Sequence, residues 1–197
     1  MPRMRAPERR RQLLEVAAKL FAERGYRGAT TADLAAEAGI TEPILYRHFD
    51  NKLNLFVTLV SEVGKEVLTA WKQVLDDTED PTERLQKLLA GNPATHARGK
   101  GVYRVIFQAM TELNGDPEIA KAIRRHVSKL HTFVKQELID LQKARVVRSD
   151  EPAEGLAWLL VDIAVGYGMV APLGSQRRSS SAGRRNIERL VEDLLCK

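Results

Sequence analysis

The sequence predicts an all-α fold. Apolar residues recur at the 3.6-residue period in segment after segment. No stretch alternates apolar and polar residues as a half-buried strand does, and Gly, Pro and Asn punctuate the chain where helices should stop. About nine helices follow from that periodicity. The 197 residues are 44% hydrophobic and 29% charged, ordinary for a globular chain able to bury one or two cores.

The first helix is predicted over residues 7–24. Leu13, Val16, Ala17, Leu20 and Phe21 hold the period, while Pro7 and Glu8 suit an N-terminus. Gly25 is expected to stop it and Tyr26 to plug the core of a three-helix unit. Residues 1–11 carry Arg3, Arg5, Arg9, Arg10 and Arg11 against Glu8 alone. Residues 1–6 of that stretch read as a disordered basic arm, either a frayed end or a contact to DNA phosphates or the minor groove.

Residues 30–49, TTADLAAEAGITEPILYRHF, organise the rest. Thr31 is expected to cap a short helix, with Asp33 in the first turn, where a carboxylate suits the positive helix end. Leu34, Ala35 and Ala38 share a face, and the small alanines let a second helix approach. Gly39 falls where a left-handed residue ends the helix. Thr41 is expected to cap the next helix, and Pro43 lies in its first turn, where a missing N–H costs nothing. Leu45 and Phe49, four apart, point inward, which leaves Ile44, Tyr46, Arg47 and His48 outward. That is a helix-turn-helix, whose second helix would enter the major groove of DNA.

A long helix is predicted over 52–75, with Phe56, Leu59, Val60, Val63, Val67, Trp71 and Val74 on one stripe. At 1.5 Å per residue it spans about 36 Å, more than the helix-turn-helix needs, so it leads into a second domain. The domains expected are 1–51 and 52–197. Residues 76–81 break the helical pattern; their acids read as a solvated loop, without calcium-loop spacing. Further helices are predicted over 82–90, 102–113, 117–144, 151–171 and 184–195, separated by turns at 91–93, 99–101 and 114–117 and a basic, serine-rich linker at 175–183. The 151–171 helix is apolar almost all round and must be covered on every side. It is either the central helix of a monomer or one side of a two-fold interface with 184–195.

The net charge of +5 and pI of about 9.4 permit nucleic-acid binding without establishing it. A single cysteine, Cys196, fits a reducing compartment, so a cytoplasmic location is expected. The first apolar run is amphipathic, so no signal peptide is expected, and 156–171 is too short for a membrane span and contains Asp162. A nucleophile elbow, a P-loop and a dinucleotide glycine fingerprint are absent, and His48, His96, His126 and His131 lack metal-site spacing. Neither enzymatic chemistry nor a cofactor nor a metal is expected.

Residues 9–56 resemble the DNA-binding domain of the TetR/AcrR family of bacterial transcriptional regulators. The match rests on Leu13, Ala17, Ala18, Leu20, Phe21, Gly25, Tyr26, Thr30, Thr31, Leu34, Ala35, Ala38, Gly39, Leu45, Tyr46, His48, Phe49, Lys52 and Leu55. Glu42-Pro43-Ile44 departs from the Lys-Gly-Thr-like triplet common in the family, which leaves the operator sequence open. The resemblance implies a homodimer on a palindromic DNA operator. By the same resemblance, Thr31, Thr41, Tyr46, His48 and Lys52 contact phosphates or position the helix, and Glu42, Pro43 and Ile44 face base edges, with Arg47 a further candidate. It also implies pairing through the last two long helices, here by Leu156, Leu159, Ile163, Ile187, Leu190, Val191 and Leu194. A small, largely apolar effector is implied in the second domain, with Tyr103, Phe107, Met110, Phe133, Leu160 and Tyr167 as candidate lining. A helical ligand-binding module without DNA function, a regulator whose output is activation, and an enzyme on a helical scaffold are the other readings at this point.

Overall fold

In the computed structural model, residues 5–90, 106–107, 116–170 and 181–196 are described, the side chains of 167–170 and 181–188 excepted. They form α1 (Ala6–Gly28), α2 (Thr31–Glu37), α3 (Glu42–Tyr46), α4 (Lys52–Asp76), α5 (Pro81–Ala90), α6 (Pro117–Lys143), α7 (Ala153–Val170) and α8 (Ser181–Cys196), with no strand among the described residues. The all-α expectation is met. Most of the helix predicted over 102–113 lies outside the described residues, of which Ile106 and Phe107 are helical. No helix among the described residues is long and apolar enough to cross a membrane.

Contacts divide the chain into two units, Met1–Gly64 with Gly101–His126, and Lys65–Lys100 with Val127–Lys197. The division falls inside α4, not at its start as the expected domains 1–51 and 52–197 had it. The reason is packing: Leu55, Phe56, Leu59 and Val60, from the first turns of α4, are buried with Leu13, Leu20, Phe21, Leu34, Leu45 and Phe49 of the N-terminal helices. Phe21, Tyr26 and Phe56 close on one another with ring centroids 5.0–5.8 Å apart, so Tyr26 joins the core as expected. Burial, then the Asp116 carboxylate, raises the Tyr26 phenol above its ordinary range. Gly25 has φ 73° and ψ 167°, so it kinks α1, which resumes to Gly28. Gly64 lies in mid-helix, where glycine is otherwise unfavourable. A Cβ there would collide with the His126 imidazole, so close helix approach explains it.

In the second unit α4 to α8 bury Leu75, Leu85, Leu88, Val134, Leu138, Leu141, Val147, Leu156, Ala157, Val191 and Leu195 together. The C-terminal carbonyls of α4 lack intrahelical partners. Arg84 of α5 serves one of them: its Nη1 donates to the Leu75 carbonyl and to that of Thr78 just beyond the helix, and its Nε and Nη2 donate to Glu137 at 2.8 and 3.1 Å. Glu137, well along α6, thereby fixes the end of α4 and the start of α5. The hydrogen bond to Glu137 is the chief cause that raises the Arg84 guanidinium above its ordinary range.

Candidate nucleic-acid interface

Local chemistry builds the helix-turn-helix residue by residue. The cap of α2 is Thr30, one residue before the Thr31 expected from sequence. Thr30 Oγ1 accepts from the Asp33 amide at 3.0 Å, and the Asp33 carboxylate accepts from the Thr30 amide at 3.1 Å and its hydroxyl at 2.7 Å. This reciprocal box satisfies two otherwise orphan donors. It is also the leading cause that holds the Asp33 carboxyl below its ordinary range, with Arg24 adding to it. Thr31 is left to bond elsewhere. Its Oγ1 accepts from the Tyr46 hydroxyl at 3.2 Å and so links α2 to α3.

Gly39 (φ +66°) ends α2, with its N–H donating to Ala36 at 3.0 Å and that of Ile40 to Ala35 at 2.9 Å. This pair is the Schellman closure. Thr41 then holds the N-cap position of α3 with extended backbone, its carbonyl accepting from Ile44 and Leu45. Its side chain makes no capping hydrogen bond, contrary to expectation, and is exposed. Pro43 sits in the first turn, as predicted.

Leu45 and Phe49 are only 2% exposed, and so anchor α3. The opposite face presents Pro43, Arg47 and Tyr46, the last 47% exposed, with Glu42, Ile44 and His48 half-buried beside them. Of the outward set read from sequence, Tyr46 and Arg47 are exposed, while Ile44 and His48 are half-buried, with Arg47 and His48 following α3 directly. Lys19–Glu37 at 2.9 Å and Arg24–Asp33 at 3.2 Å brace α1 against α2. Being exposed, such pairs add little stability. Two cations lie on aromatic rings. Lys52 Nζ donates to the Ala29 carbonyl at 2.8 Å and sits 4.6 Å from the Tyr26 centroid, so this ammonium is engaged inside the unit. The Arg10 guanidinium carbon sits 4.6 Å from the Phe49 centroid, a contact with no sequence signal beyond a basic run.

The model of bacterial regulatory proteins of the tetR family matches residues 13–59, which span α1 to the first turns of α4. The nucleoid occlusion factor SlmA of Shewanella pealeana is 31% identical over 166 residues, 80% of each chain. The chain belongs to the TetR family of bacterial regulatory proteins. The HTH-type transcriptional activator FasR of Mycolicibacterium smegmatis is 30% identical over 122 residues, 62% of this chain and 55% of that protein, so the match spans about half of that relative. Among solved structures, the fatty acid degradation regulator FadR of Bacillus halodurans superposes with a TM-score of 0.76 over 98% of this chain and 97% of that one. At 17% identity this bears on the fold alone. This TetR-family chain therefore carries the family's helical fold and DNA-binding type, that of transcriptional regulators.

The second unit sorts the remaining candidates. Leu190 and Leu194 of α8 are 60% and 46% exposed, and Leu159 and Ile163 of α7 are half-buried. Leu156 and Val191 do not join them: both are buried in the core of their own chain, because successive turns of α7 and α8 must face inward as well as outward. The Ile187 side chain lies outside the described residues. Trp158 is 40% exposed and stacks on His131 at 4.1 Å. Glu154 faces His131 Nε2 at 3.4 Å and pairs with Lys135 at 2.5 Å, and Lys135 is the leading cause lowering the Glu154 carboxyl. Of the effector candidates, Phe133 and Leu160 pack on one cluster with Trp71, whose ring lies 5.3 Å from Phe133 and whose indole nitrogen is buried without a partner. Phe107 belongs to the first unit. Tyr103, Met110 and the Tyr167 side chain lie outside the described residues.

Proposed function

We propose that this chain is a cytoplasmic, ligand-responsive repressor that binds a palindromic operator as a homodimer. The observation that carries the reading is the division of α3: Leu45 and Phe49 inward, with Thr41, Pro43, Tyr46 and Arg47 presented outward. A helix so anchored offers its outer face to the major groove. Ile44 suits a thymine methyl and Glu42 a cytosine amino group, while Thr41, Arg47 and His48 suit phosphates or further base edges. Tyr46 and Thr31, bonded to each other, set the angle between α2 and α3 and can turn to the backbone. Pairing through the outer faces of α7 and α8 would cover Leu190, Leu194, Leu159 and Trp158 and present two copies of α3 to one duplex.

Selection from random duplexes by the full-length protein tests this. The expected product is a two-fold symmetric site bound with an affinity that falls steeply with salt, about 0.9 in log–log slope for each phosphate met. Enrichment of no sequence would overturn the reading. Release by a small, largely apolar effector in the second unit is supported by Phe133, whose ring lies beside that of Trp71, and by Leu160 on the same cluster. An effector that lowers operator affinity about tenfold must, by linkage, bind about tenfold more weakly when operator is present, a coupling of about 1.4 kcal/mol.

A second reading has a specific support: one relative is named an activator and another a nucleoid occlusion factor, so output differs at similar identity. Transcription in vitro from a promoter bearing the selected site separates the two, since an activator raises the transcript and a repressor lowers it.

A further inference from the structure

Arg10 stands apart from the basic run it belongs to. Arg11 beside it is exposed, and Arg9 spends its Nη1 on the Gln12 side chain at 2.6 Å. The Arg10 guanidinium instead lies on the face of Phe49, 4.6 Å from the ring centroid. Its Nη1 is fully buried and has no hydrogen-bond partner, and among the described residues no carboxylate pairs with it. A buried, unpaired donor of a charged group is costly unless something offsets it. Here the offset is the negative face of the ring, which attracts a cation more strongly as water is removed.

We propose that Arg10 is a positioning residue for the recognition helix: its guanidinium, clamped on Phe49, fixes the C-terminal end of α3 against α1 and makes no phosphate contact itself. This rests on the DNA-binding reading above. A bidentate phosphate contact needs the planar fork turned outward. The buried Nη1 turns part of that fork inward, where a phosphate does not reach. The ring it holds is close to the reading surface: Phe49 follows Arg47 and His48, and its amide donates to the Leu45 carbonyl at 3.1 Å. A shift of Phe49 therefore carries the last turn of α3 with it. Base readout is sensitive to such a shift. Attraction to the phosphate backbone, which depends on charge more than on register, is not.

The test compares full-length wild type, Arg10→Met and Arg47→Gln on two duplexes of equal length across a range of KCl. One duplex is the site selected by wild type and the other is of unrelated sequence. Arg10→Met keeps an apolar side chain on Phe49 and is expected to lose about tenfold on the selected duplex, roughly 1.4 kcal/mol. It should bind the unrelated duplex as wild type does, with the salt slope unchanged. Arg47→Gln, exposed on the outer face, provides the contrast: it should weaken both duplexes and flatten the slope by about 0.9 per copy. A flattened slope with Arg10→Met would make Arg10 a phosphate contact and overturn the proposal. So would wild-type affinity on both duplexes, which would leave Arg10 a purely structural role. Should Arg10→Met not fold, Phe49→Leu removes the ring face from a residue that stays apolar, and the same loss of discrimination is expected. If wild type selects no sequence, the DNA-binding reading fails on its own. Amide hydrogen exchange over 45–49 then decides for Arg10: faster exchange in the variant supports the clamp, and equal exchange refutes it.

Discussion

In the first unit Phe21, Tyr26 and Phe56 close on one another and α3 turns Leu45 and Phe49 inward, so its outer face is left to Pro43, Tyr46 and Arg47. In the second, α8 turns Val191 and Leu195 inward yet leaves Leu190 and Leu194 exposed, and α7 leaves Trp158. Among its described residues, the first unit buries or half-buries its large aliphatic side chains and presents mixed polar chemistry. The other presents leucines and an indole. Contiguous exposed apolar residues mark surfaces meant for an apolar partner. The contrast teaches that the two units complete themselves differently: the reading head within one chain, the second unit through a partner of matching chemistry, in our reading a second copy.

The largest effect separates those two kinds of leucine-rich face. Val191→Arg puts an unpaired charge into the buried cluster, at a cost of several kcal/mol, and should unfold the second unit. Leu190→Arg, one residue earlier and 60% exposed, should leave the fold intact, as read by circular dichroism. In sedimentation it should convert dimers to monomers, with operator binding lost. A Leu190→Arg protein that remains dimeric would move the interface elsewhere and break the comparison.

A second contrast concerns the range over which order is imposed. The ends of α2 in the reading head are closed by hydrogen bonds a few residues apart, whereas Arg84 and Glu137, the pair that ties the helices of the second unit, lie 53 positions apart. Their paired hydrogen bonds, together with those of Arg84 to Leu75 and Thr78, join α4, α5 and α6. Hydrogen bonds to charged groups contribute about 1.5–3 kcal/mol, so Glu137→Ala should lower stability by about 2 kcal/mol. Both tryptophans, Trp71 and Trp158, belong to the second unit, so their fluorescence in a urea titration reports this loss directly. A midpoint equal to wild type would reduce the pair to decoration.

The units also close a helix by the same motif with opposite chemistry, and this bears on what the sequence reveals. Gly39 ends α2 at φ +66°, and Arg145 ends α6 at φ +61°, its N–H donating to Gln142 and that of Val146 to Leu141. The left-handed backbone costs an L-residue with a side chain roughly 1–2 kcal/mol. Gly39→Ala should therefore destabilise by about 1 kcal/mol and Arg145→Gly stabilise by a similar amount, measured by thermal melts. Equal signs would refute the shared motif. Gly39 was legible because glycine announces the conformation. Arg145 was not, since nothing in an arginine does, and the helix was extended one residue too far. The same logic sorts the rest. Leu45 and Phe49 were readable from a spacing of four. Leu156 and Val191 were assigned to an interface because an apolar helix does not say which of its faces its own chain covers. Lys52 was placed by resemblance among the residues that contact phosphates or position the helix, and the Ala29 carbonyl and Tyr26 ring that engage it have no signal in the sequence.

The smallest effect concerns which threonine caps α2. Loss of a threonine cap costs about 1 kcal/mol, so Thr30→Ala should destabilise by that amount at neutral pH, and Thr31→Ala by less, since only the Tyr46 hydroxyl bond goes with it. The pH dependence adds an independent check. Asp33 has its folded pKa below its ordinary value, chiefly through the Thr30 hydroxyl and amide. A depressed carboxyl lends stability that is complete above the unfolded pKa and fades as pH falls through the lower folded value. Wild type and Thr30→Ala should therefore differ most above about pH 4 and converge in more acidic solution, where a protonated Asp33 no longer closes the box. Thr31→Ala should run parallel to wild type across that window, because Asp33 keeps its partner. Reversal of the two profiles would return the cap to Thr31 and take from α2 the reciprocal box between Thr30 and Asp33.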